Sequence, residues 1–259
     1  MWELKMQTPN EFLVNYPKDP GIFDYDKLRA RPLYEIIPYE AELEFHRIAT
    51  TLSLNGDPKR KFQLMNDLAK HLDLTFLARG TNRSVYTVNY DSSIVIKIGY
   101  DKTGISATAR EYENQEFIKP FCSKCFEISP TKCVGLFERV TPVIHPEEFK
   151  SMAQDIFDIF HQRILGKYVI ADIGMHNFMN YGFREGFGAV ILDYPYLYEM
   201  DKSKIKCHNL LVSTGTLCGG TIGYDADFEH LVCDKCGKEY NARDLAKAYG
   251  TQLVEQSVC

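Results

Sequence analysis

The chain has 259 residues, of which 45% are hydrophobic and 25% charged, a makeup typical of one large or two small globular domains. Its formal net charge of −5 argues against a broad nucleic-acid interface, so nucleic acid is not a favoured partner. Its apolar runs are much shorter than the roughly 20 residues that a membrane-spanning helix needs. Met1 is followed by "WELKMQTPNEF", which lacks a secretory pattern. We therefore expect no membrane partner and a cytoplasmic location.

The first predicted region, residues 1–73, consists of a loop followed by helices. Two stretches, "YEAELEFHRIATTL" and "KRKFQLMNDLAKHL", carry apolar residues in broadly helical spacing. This spacing places them on one side of an α-helix. The region contains no pattern that indicates chemistry.

Residues 74–99 change to short β-rich runs, "LTFLARG", "SVYTVNY" and "SIVIKI", separated by the turn clusters "GTNR" and "NYDSS". This pattern predicts a three-stranded antiparallel meander. Side chains alternate along a strand, so Val95 and Lys97 share one face of the third strand and the isoleucines beside them share the other. Lys97 either reaches water at a sheet edge or has a charged partner.

A predicted helix over residues 106–119 offers that partner, because it carries Glu111, Glu113 and Glu116. A strand over 135–140 and an amphipathic helix over 147–165 follow it. Next come Asp172 and Asn177, spaced as D-x-x-x-x-N, and Asp193 at the end of the apolar run "AVIL". Upstream, the turn that starts at Gly80 has backbone N–H groups that are suited to face a phosphate.

This ordered set of lysine, glutamate, aspartate, asparagine and aspartate resembles the protein-kinase superfamily over roughly residues 74–200. The resemblance implies that Lys97 holds the α- and β-phosphates of ATP and that Glu111 is its helix partner, with Glu113 as the alternative. It places "GLFERV", which contains Glu138, in the hinge position. The implied cofactor-binding residues are Gly80, Thr81, Asn82, Arg83, Val95, Lys97, Glu111, Glu138, Asn177 and Asp193.

The resemblance also implies how the reaction works. Asp172 matches the catalytic-loop aspartate, which orients the attacking hydroxyl, while Asn177 and Asp193 match the ligands of Mg²⁺. The implied catalytic residues are Lys97, Asp172, Asn177 and Asp193. The implied function is an ATP- and Mg²⁺-dependent phosphotransferase whose acceptor the sequence does not identify. The turn "GTNR" and the "DYP" that begins at Asp193 resemble compact kinase-like proteins of tailed bacteriophages and their bacterial relatives. A phage origin would place the chain in the host cytoplasm.

Some residues depart from the kinase pattern and support an alternative. Gly174 stands where protein kinases commonly keep a lysine, Pro195 replaces the glycine of D-F-G, and only 66 residues follow Asp193. The alternative is a pseudokinase or binding module that contacts a protein or nucleic-acid partner through its C-terminal and helical regions.

The C-terminal cysteines form the second pattern. Cys207, Cys218, Cys233 and Cys236 lie in "CHNLLVSTGTLCGG" and "CDKCG", which resemble a zinc ribbon and predict a site for Zn²⁺. His208 is an alternative to Cys207 as a ligand, and reduced core thiols are the alternative to a metal site. A possible protein partner would bind through this ribbon.

Three further cysteines, Cys122, Cys125 and Cys133, indicate structural thiols, with a redox pair or a shared metal site as alternatives.

The expected fold is therefore α+β, with a bilobal kinase-like core made of an antiparallel N-lobe sheet and a short helical C-lobe. N-terminal helices precede the core and a zinc ribbon follows it. The predicted domains are an N-terminal helical region, a kinase-like N-lobe and hinge, a reduced C-lobe, and a zinc ribbon with a C-terminal helix, at residues 1–73, 74–140, 141–201 and 202–259.

Overall fold

The computed structural model is a mixed α/β structure with antiparallel sheets. It describes residues 24–51, 57–147, 168–170, 175–199, 206–224, 230–241, 244–245 and 251–252. These residues fall into two units, which meet in sequence between Val140 and Thr141. No helix of the described part is long and apolar enough to cross a membrane.

Helices begin the first unit: α1 (Leu33–Ile36), α2 (Tyr39–Thr50) and α3 (Pro58–His71). The two helices predicted from apolar spacing are thus confirmed. Helix α3 begins where the sequence supplies a cap, because the Asp57 side chain accepts the Arg60 N–H at 2.9 Å and Pro58 occupies the first helical position.

A five-stranded antiparallel sheet follows these helices, with strand order β1-β2-β3-β5-β4. The predicted meander is confirmed as its first three strands. Helix α4 (Lys102–Ile118) connects β3 to β4, and it begins earlier than predicted because Asp101 accepts the Gly104 N–H at 2.7 Å. The strands are β1 (Leu74–Arg79), β2 (Arg83–Val88), β3 (Asp91–Gly99), β4 (Cys125–Ile128) and β5 (Val134–Glu138).

The two faces of this sheet have different partners. One face carries the β3 isoleucines Ile94, Ile96 and Ile98. They belong to a core cluster that also contains Phe45 of α2 and Met65 of α3. The other face carries Val95, which packs with Cys125 and Phe137. Burial of each large apolar side chain stabilises the fold by about 1.5–3 kcal/mol. The N-terminal helices therefore cover the sheet on the side opposite Lys97.

The described part of the second unit contains short strands and a 3-10 helix at Met175–Asn180. One sheet has the order β6-β8-β9 and another the order β16-β10-β7. The amphipathic helix predicted over 147–165 lies outside the described residues, except for its first position. These strands are β6 (Thr141–Pro142), β7 (Tyr168–Ile170), β8 (Tyr181–Arg184), β9 (Gly188–Ile191), β10 (Leu197–Glu199) and β16 (Thr251–Gln252).

The cysteine-rich segment of the second unit forms a hairpin and a three-stranded antiparallel sheet. The hairpin joins β11 (Leu210–Leu211) to β12 (Thr216–Leu217). The sheet consists of β13 (Ile222–Tyr224), β14 (His230–Cys233) and β15 (Glu239–Asn241). Of the predicted C-terminal helix "NARDLAKAYG", the described residues are 241, in β15, and 244–245, which are helical.

Candidate nucleotide site and cysteine cluster

Lys97 forms a buried ion pair with Glu111 of α4. Its Nζ lies 3.0 Å from Glu111 Oε2, and the two side chains are 10% and 0% exposed. Glu113 is exposed on another side of the same helix. Residues two positions apart point in nearly opposite directions on a helix, so Glu111 is the partner of Lys97 and Glu113 is not.

Arg83 also binds Glu111, a contact that the sequence pattern does not predict. Its Nη1 donates to Oε2 at 2.6 Å and its Nη2 donates to Oε1 at 2.9 Å, so the pair is bidentate. Arg83 is the first residue of β2, and Val85 two positions later is opposite Lys97 in the sheet. Alternation therefore places Arg83 on the same face of the sheet as Lys97. A strand predicted to begin one residue earlier would have indicated that Arg83, like Lys97, faces the glutamates of α4.

The turn at Gly80–Arg83 is held by Tyr100. The Tyr100 hydroxyl donates to the carbonyl of Gly80 at 2.6 Å and also to that of Thr81, and the Tyr100 N–H donates to the carbonyl of Asn82 at 3.1 Å. The turn closes with the Gly80 N–H donating to the Arg83 carbonyl at 2.8 Å. The carbonyls of three successive residues therefore face Tyr100.

Two glycines allow the start of α4 to approach this turn closely. A Cβ at Gly104 would overlap the carbonyl oxygen of Asn82 and lie 2.9 Å from Gly99 Cα. A Cβ at Gly99 would lie 2.7 Å from the backbone of Gly104 and Ile105. Backbone contacts this close tolerate only glycine, so the turn, the end of β3 and the start of α4 form one closely packed junction.

Val95 lies on β3 and Glu138 lies on β5, which are neighbouring strands of the sheet. Val95 is opposite Phe137, and the Lys97 ammonium lies 4.2 Å from the centre of the Phe137 ring. The Glu138 carboxylate accepts the backbone N–H of Lys124 at 3.0 Å. The side chain of Glu138 thus links β5 to the start of β4.

The second unit contains Asn177 and Asp193, on either side of the β8–β9 hairpin. Asn177 is exposed and has a non-helical backbone within the 3-10 helix, with φ −111° and ψ 31°. The Leu192 N–H donates to the Asn180 carbonyl at 2.7 Å, which joins the two ends of the hairpin. Strand β10, which follows this hairpin in sequence, pairs with β7, and Leu197 is opposite Ile170. Asp172 lies outside the described residues.

The four C-terminal cysteines converge. Their Sγ atoms all lie within 4.8 Å of one another, with Cys207 and Cys236 3.5 Å apart and Cys218 and Cys233 3.6 Å apart. Four sulfurs bound tetrahedrally at about 2.3 Å from one ion would lie about 3.8 Å apart. His208 is exposed and is not part of this group. The donor set therefore fits a tetrahedral thiolate site.

Backbone contacts hold the cysteine cluster together. The Cys207 N–H donates to the Gly220 carbonyl and the Gly219 N–H donates to the Cys207 carbonyl, both at 2.9 Å. A Cβ at Gly220 would lie 2.5 Å from Cys233 Sγ, so glycine is needed where the two cysteine-bearing loops meet. Asn209 Nδ2 also donates to Cys236 Sγ at 3.6 Å.

The other three described cysteines, Cys122, Cys125 and Cys133, are buried thiols of the first unit. Burial raises the pKa of the Cys125 thiol well above its usual range and also raises the pKa of Cys133. Cys133 Sγ donates to the Gly99 carbonyl at 3.2 Å. A raised pKa leaves little thiolate, so these two side chains are poor nucleophiles.

No protein-family model matches the chain, and the comparison with curated proteins finds no match. Among solved structures, the chain is similar to the streptomycin–ATP–APH(2")-IIa ternary complex, at 10% identity and a TM-score of 0.31, over 54% of this chain and 71% of that one.

It is also similar to the Rio2 kinase–ADP/Mg²⁺–phosphoaspartate complex from Chaetomium thermophilum, at 13% identity and a TM-score of 0.34. This second match covers 55% of the present chain and 54% of the other, so the chain spans about half the length of that protein. TM-scores this low do not establish a shared fold.

Proposed function

We propose that this chain is an ATP- and Mg²⁺-dependent phosphotransferase of the protein-kinase-like superfamily. The observation that carries the proposal is the buried contact between Lys97 on β3 and Glu111 on α4, at 3.0 Å. A lysine has a flexible stem, and a buried carboxylate holds its ammonium in one place. Such a fixed cation is suited to bind the phosphates of a nucleotide.

The turn at Gly80–Arg83 supports a phosphate site beside this cation. Because a peptide group is planar and trans, each N–H points opposite to the carbonyl of the preceding residue. The carbonyls of Gly80 and Thr81 face Tyr100, so the N–H groups of Thr81 and Asn82 point away from it. Successive backbone N–H groups that point together attract anions, and we assign them to the phosphates.

We assign Mg²⁺ to Asn177 and Asp193. These residues offer the oxygen ligands that Mg²⁺ prefers, and the hydrogen bond between Leu192 and Asn180 brings their segments together at one end of the β8–β9 hairpin. The ion would neutralise charge on the phosphates. In this proposal Asp172 orients the acceptor hydroxyl and accepts its proton, while Val95 and Glu138 contribute to nucleotide binding.

A thermal-shift measurement tests nucleotide binding. We expect ATP with Mg²⁺ to stabilise the protein, by about 2.7 kcal/mol when the ligand is at 100 times its Kd. Lys97→Met should remove most of this stabilisation, whereas Lys70→Met, which removes an exposed lysine of α3, should not. Transfer of labelled γ-phosphate then separates catalysis from binding. Absence of any stabilisation of the wild-type protein by ATP would refute the proposal.

For the cysteine cluster we propose one structural zinc ion per chain, held by Cys207, Cys218, Cys233 and Cys236. Four thiolates close the coordination sphere of zinc, which is the arrangement of structural sites and not of catalytic ones. Among the described side chains of the small β13–β15 sheet, the buried apolar ones besides Cys233 are Ile222 and Leu231, so bound metal would supply much of its stability.

A second candidate is a kinase-like binding module that lacks catalysis and contacts a protein partner. It is favoured by the β11–β12 hairpin, where Leu210, Val212 and Leu217 are 58%, 96% and 60% exposed. Nucleotide binding without any phosphate transfer, in an assay that includes the protein itself as acceptor, would favour this candidate over the enzyme.

A further inference from the structure

Glu111 forms ion pairs with both Arg83 and Lys97, and the geometry of the two pairs differs. Arg83 donates to both carboxylate oxygens, at 2.6 and 2.9 Å, whereas Lys97 shares one of those oxygens at 3.0 Å. A guanidinium that binds both oxygens fixes the plane and direction of the carboxylate, while an ammonium is a point charge that fixes neither. Of these two cations, Arg83 is therefore the one whose geometry orients Glu111.

The segment that contains Arg83 also contacts α4 at a second point. Asn82, the preceding residue, lies against Gly104 in the first turn of α4. Positions 104 and 111 are about 10 Å apart along the helix, at about 1.5 Å per residue. Two adjacent residues of β2 and its turn therefore hold the N-terminal half of α4 at two separate points, which restricts both sliding and rotation.

The C-terminal half of α4 has its own attachment. Gln115 accepts the Cys125 N–H at 2.9 Å and donates to the Cys125 carbonyl at 3.0 Å. These bonds join α4 to β4 and involve neither Arg83 nor Lys97. The two halves of the helix are thus held by different residues, and their mobility can be measured separately.

We propose that Arg83 is a positioning residue that fixes Glu111 and the N-terminal half of α4 whether or not Lys97 is present. The carboxylate that orients Lys97 is then in place before any ligand binds. Lys97 shares this carboxylate and does not hold the helix, so it can turn toward a phosphate without releasing α4. The turn of Lys97 toward a phosphate rests on the proposed phosphotransferase function, whereas the role of Arg83 toward α4 does not.

Amide hydrogen exchange of α4, measured without nucleotide, tests the proposal. Because breaking a buried charge pair is strongly destabilising, we expect Arg83→Met and Glu111→Gln to speed exchange over Lys102–Glu111 by at least about tenfold. Lys97→Met should change exchange there by less than about threefold, since the bidentate pair remains. Amides next to Gln115 should change less and serve as an internal reference.

Arg47→Met is the matched control. Arg47 also forms a bidentate pair with a glutamate, Glu44, at 2.7 and 2.6 Å, but this pair is exposed on α2. Its removal should leave exchange of α4 unchanged. Arg83→Lys, which keeps the charge but not the bidentate geometry, should give partial rescue relative to Arg83→Met.

The proposal is overturned if Lys97→Met speeds exchange of the N-terminal half of α4 as much as Arg83→Met does, or if Arg83→Met has no effect. If Arg83→Met does not fold, NMR of the wild-type guanidinium decides. Slow rotation and slow exchange of the Arg83 Nη protons are expected in the wild type and in Lys97→Met, and fast averaging in either would contradict the proposal.

Nucleotide kinetics separate this inference from the proposed function. In an active enzyme, Arg83→Met should raise the KM for ATP more than it lowers kcat, because bound phosphate partly restores the position of Lys97. Equal loss of kcat and kcat/KM would contradict a positioning role. If the wild-type protein binds no nucleotide, the proposed function fails, while the exchange experiment still decides what Arg83 does.

Discussion

At the scale of single residues, the proposed reaction gives Asp193 and Asp172 separable roles. Asp193→Ala should abolish nucleotide-dependent turnover, because Mg²⁺ loses its main carboxylate. Asp172→Asn should retain nucleotide binding but lower kcat by about 10²–10⁴-fold, the usual effect of losing a general base. Steady-state kinetics and a nucleotide-binding titration measure the two effects.

Glu185→Ala is the control for both variants, because Glu185 is an exposed acidic residue in the β8–β9 turn. It should behave like the wild type. Undiminished turnover in Asp193→Ala would show that the metal is held by other groups.

The residues around Lys97 show what a sequence can and cannot predict. Strand alternation is a local property, so the faces of Val95 and Lys97 were predictable. The choice between Glu111 and Glu113 was not, because it depends on how α4 rotates against the sheet. Arg83 was named as a cofactor-binding residue, but its contact with Glu111 was not predicted. The strand was predicted to begin at Ser84, and this error of one residue separated Arg83 from the face that it shares with Lys97.

At the scale of elements, the junction of the Gly80–Arg83 turn with α4 depends on Gly104. Alanine is favoured over glycine within a helix by about 1 kcal/mol. Here we expect the overlap of the new methyl group with the Asn82 carbonyl to dominate, since neither backbone segment can yield without disturbing the other. Gly104→Ala should therefore lower the free energy of unfolding by about 1–3 kcal/mol in a denaturant titration.

Thr103→Ala is the matched control for this substitution, because Thr103 is the preceding residue and is exposed. It should change the free energy of unfolding by no more than about 0.5 kcal/mol. A Gly104→Ala protein as stable as the wild type would mean that the turn and α4 can move apart freely.

The longer elements were predictable and the shorter ones were not, for a physical reason. Helices α2 and α3 and strands β1 to β3 contain enough residues for an apolar period to appear in the sequence. Strands such as β6, β11 and β12 contain two residues each, so no period exists. Their conformation is fixed by the strand beside them, and that partner is a tertiary property.

At the scale of the whole molecule, the cysteine cluster predicts that metal and thiol content change together. Protein purified without chelator should contain one zinc ion per chain by elemental analysis. Chelation should make four thiols newly reactive toward an aromatic disulfide reagent, those of Cys207, Cys218, Cys233 and Cys236. Cys122, Cys125 and Cys133 should stay protected, because they are buried in the other unit.

Variants test the same prediction. Cys233→Ser should lose the metal and the hydrogen-exchange protection of the β13–β15 sheet, because metal-binding free energy is folding free energy at such sites. Cys122→Ala should retain both. Absence of zinc from the wild-type protein, or a Cys233→Ser protein that keeps this protection, would show that these cysteines are ordinary thiols.

The chain leaves one sheet at the end of β10 and returns to the same sheet at β16, where Glu199 and Thr251 are direct partners. Strands β11 to β15 and the cysteine cluster therefore occupy the place of a loop between two neighbouring antiparallel strands. Such strands need a connection of only about two to five residues. The cysteine-bearing segment is thus an insertion in the topological sense, because a short turn in its place would keep the strand order β16-β10-β7 of its host sheet.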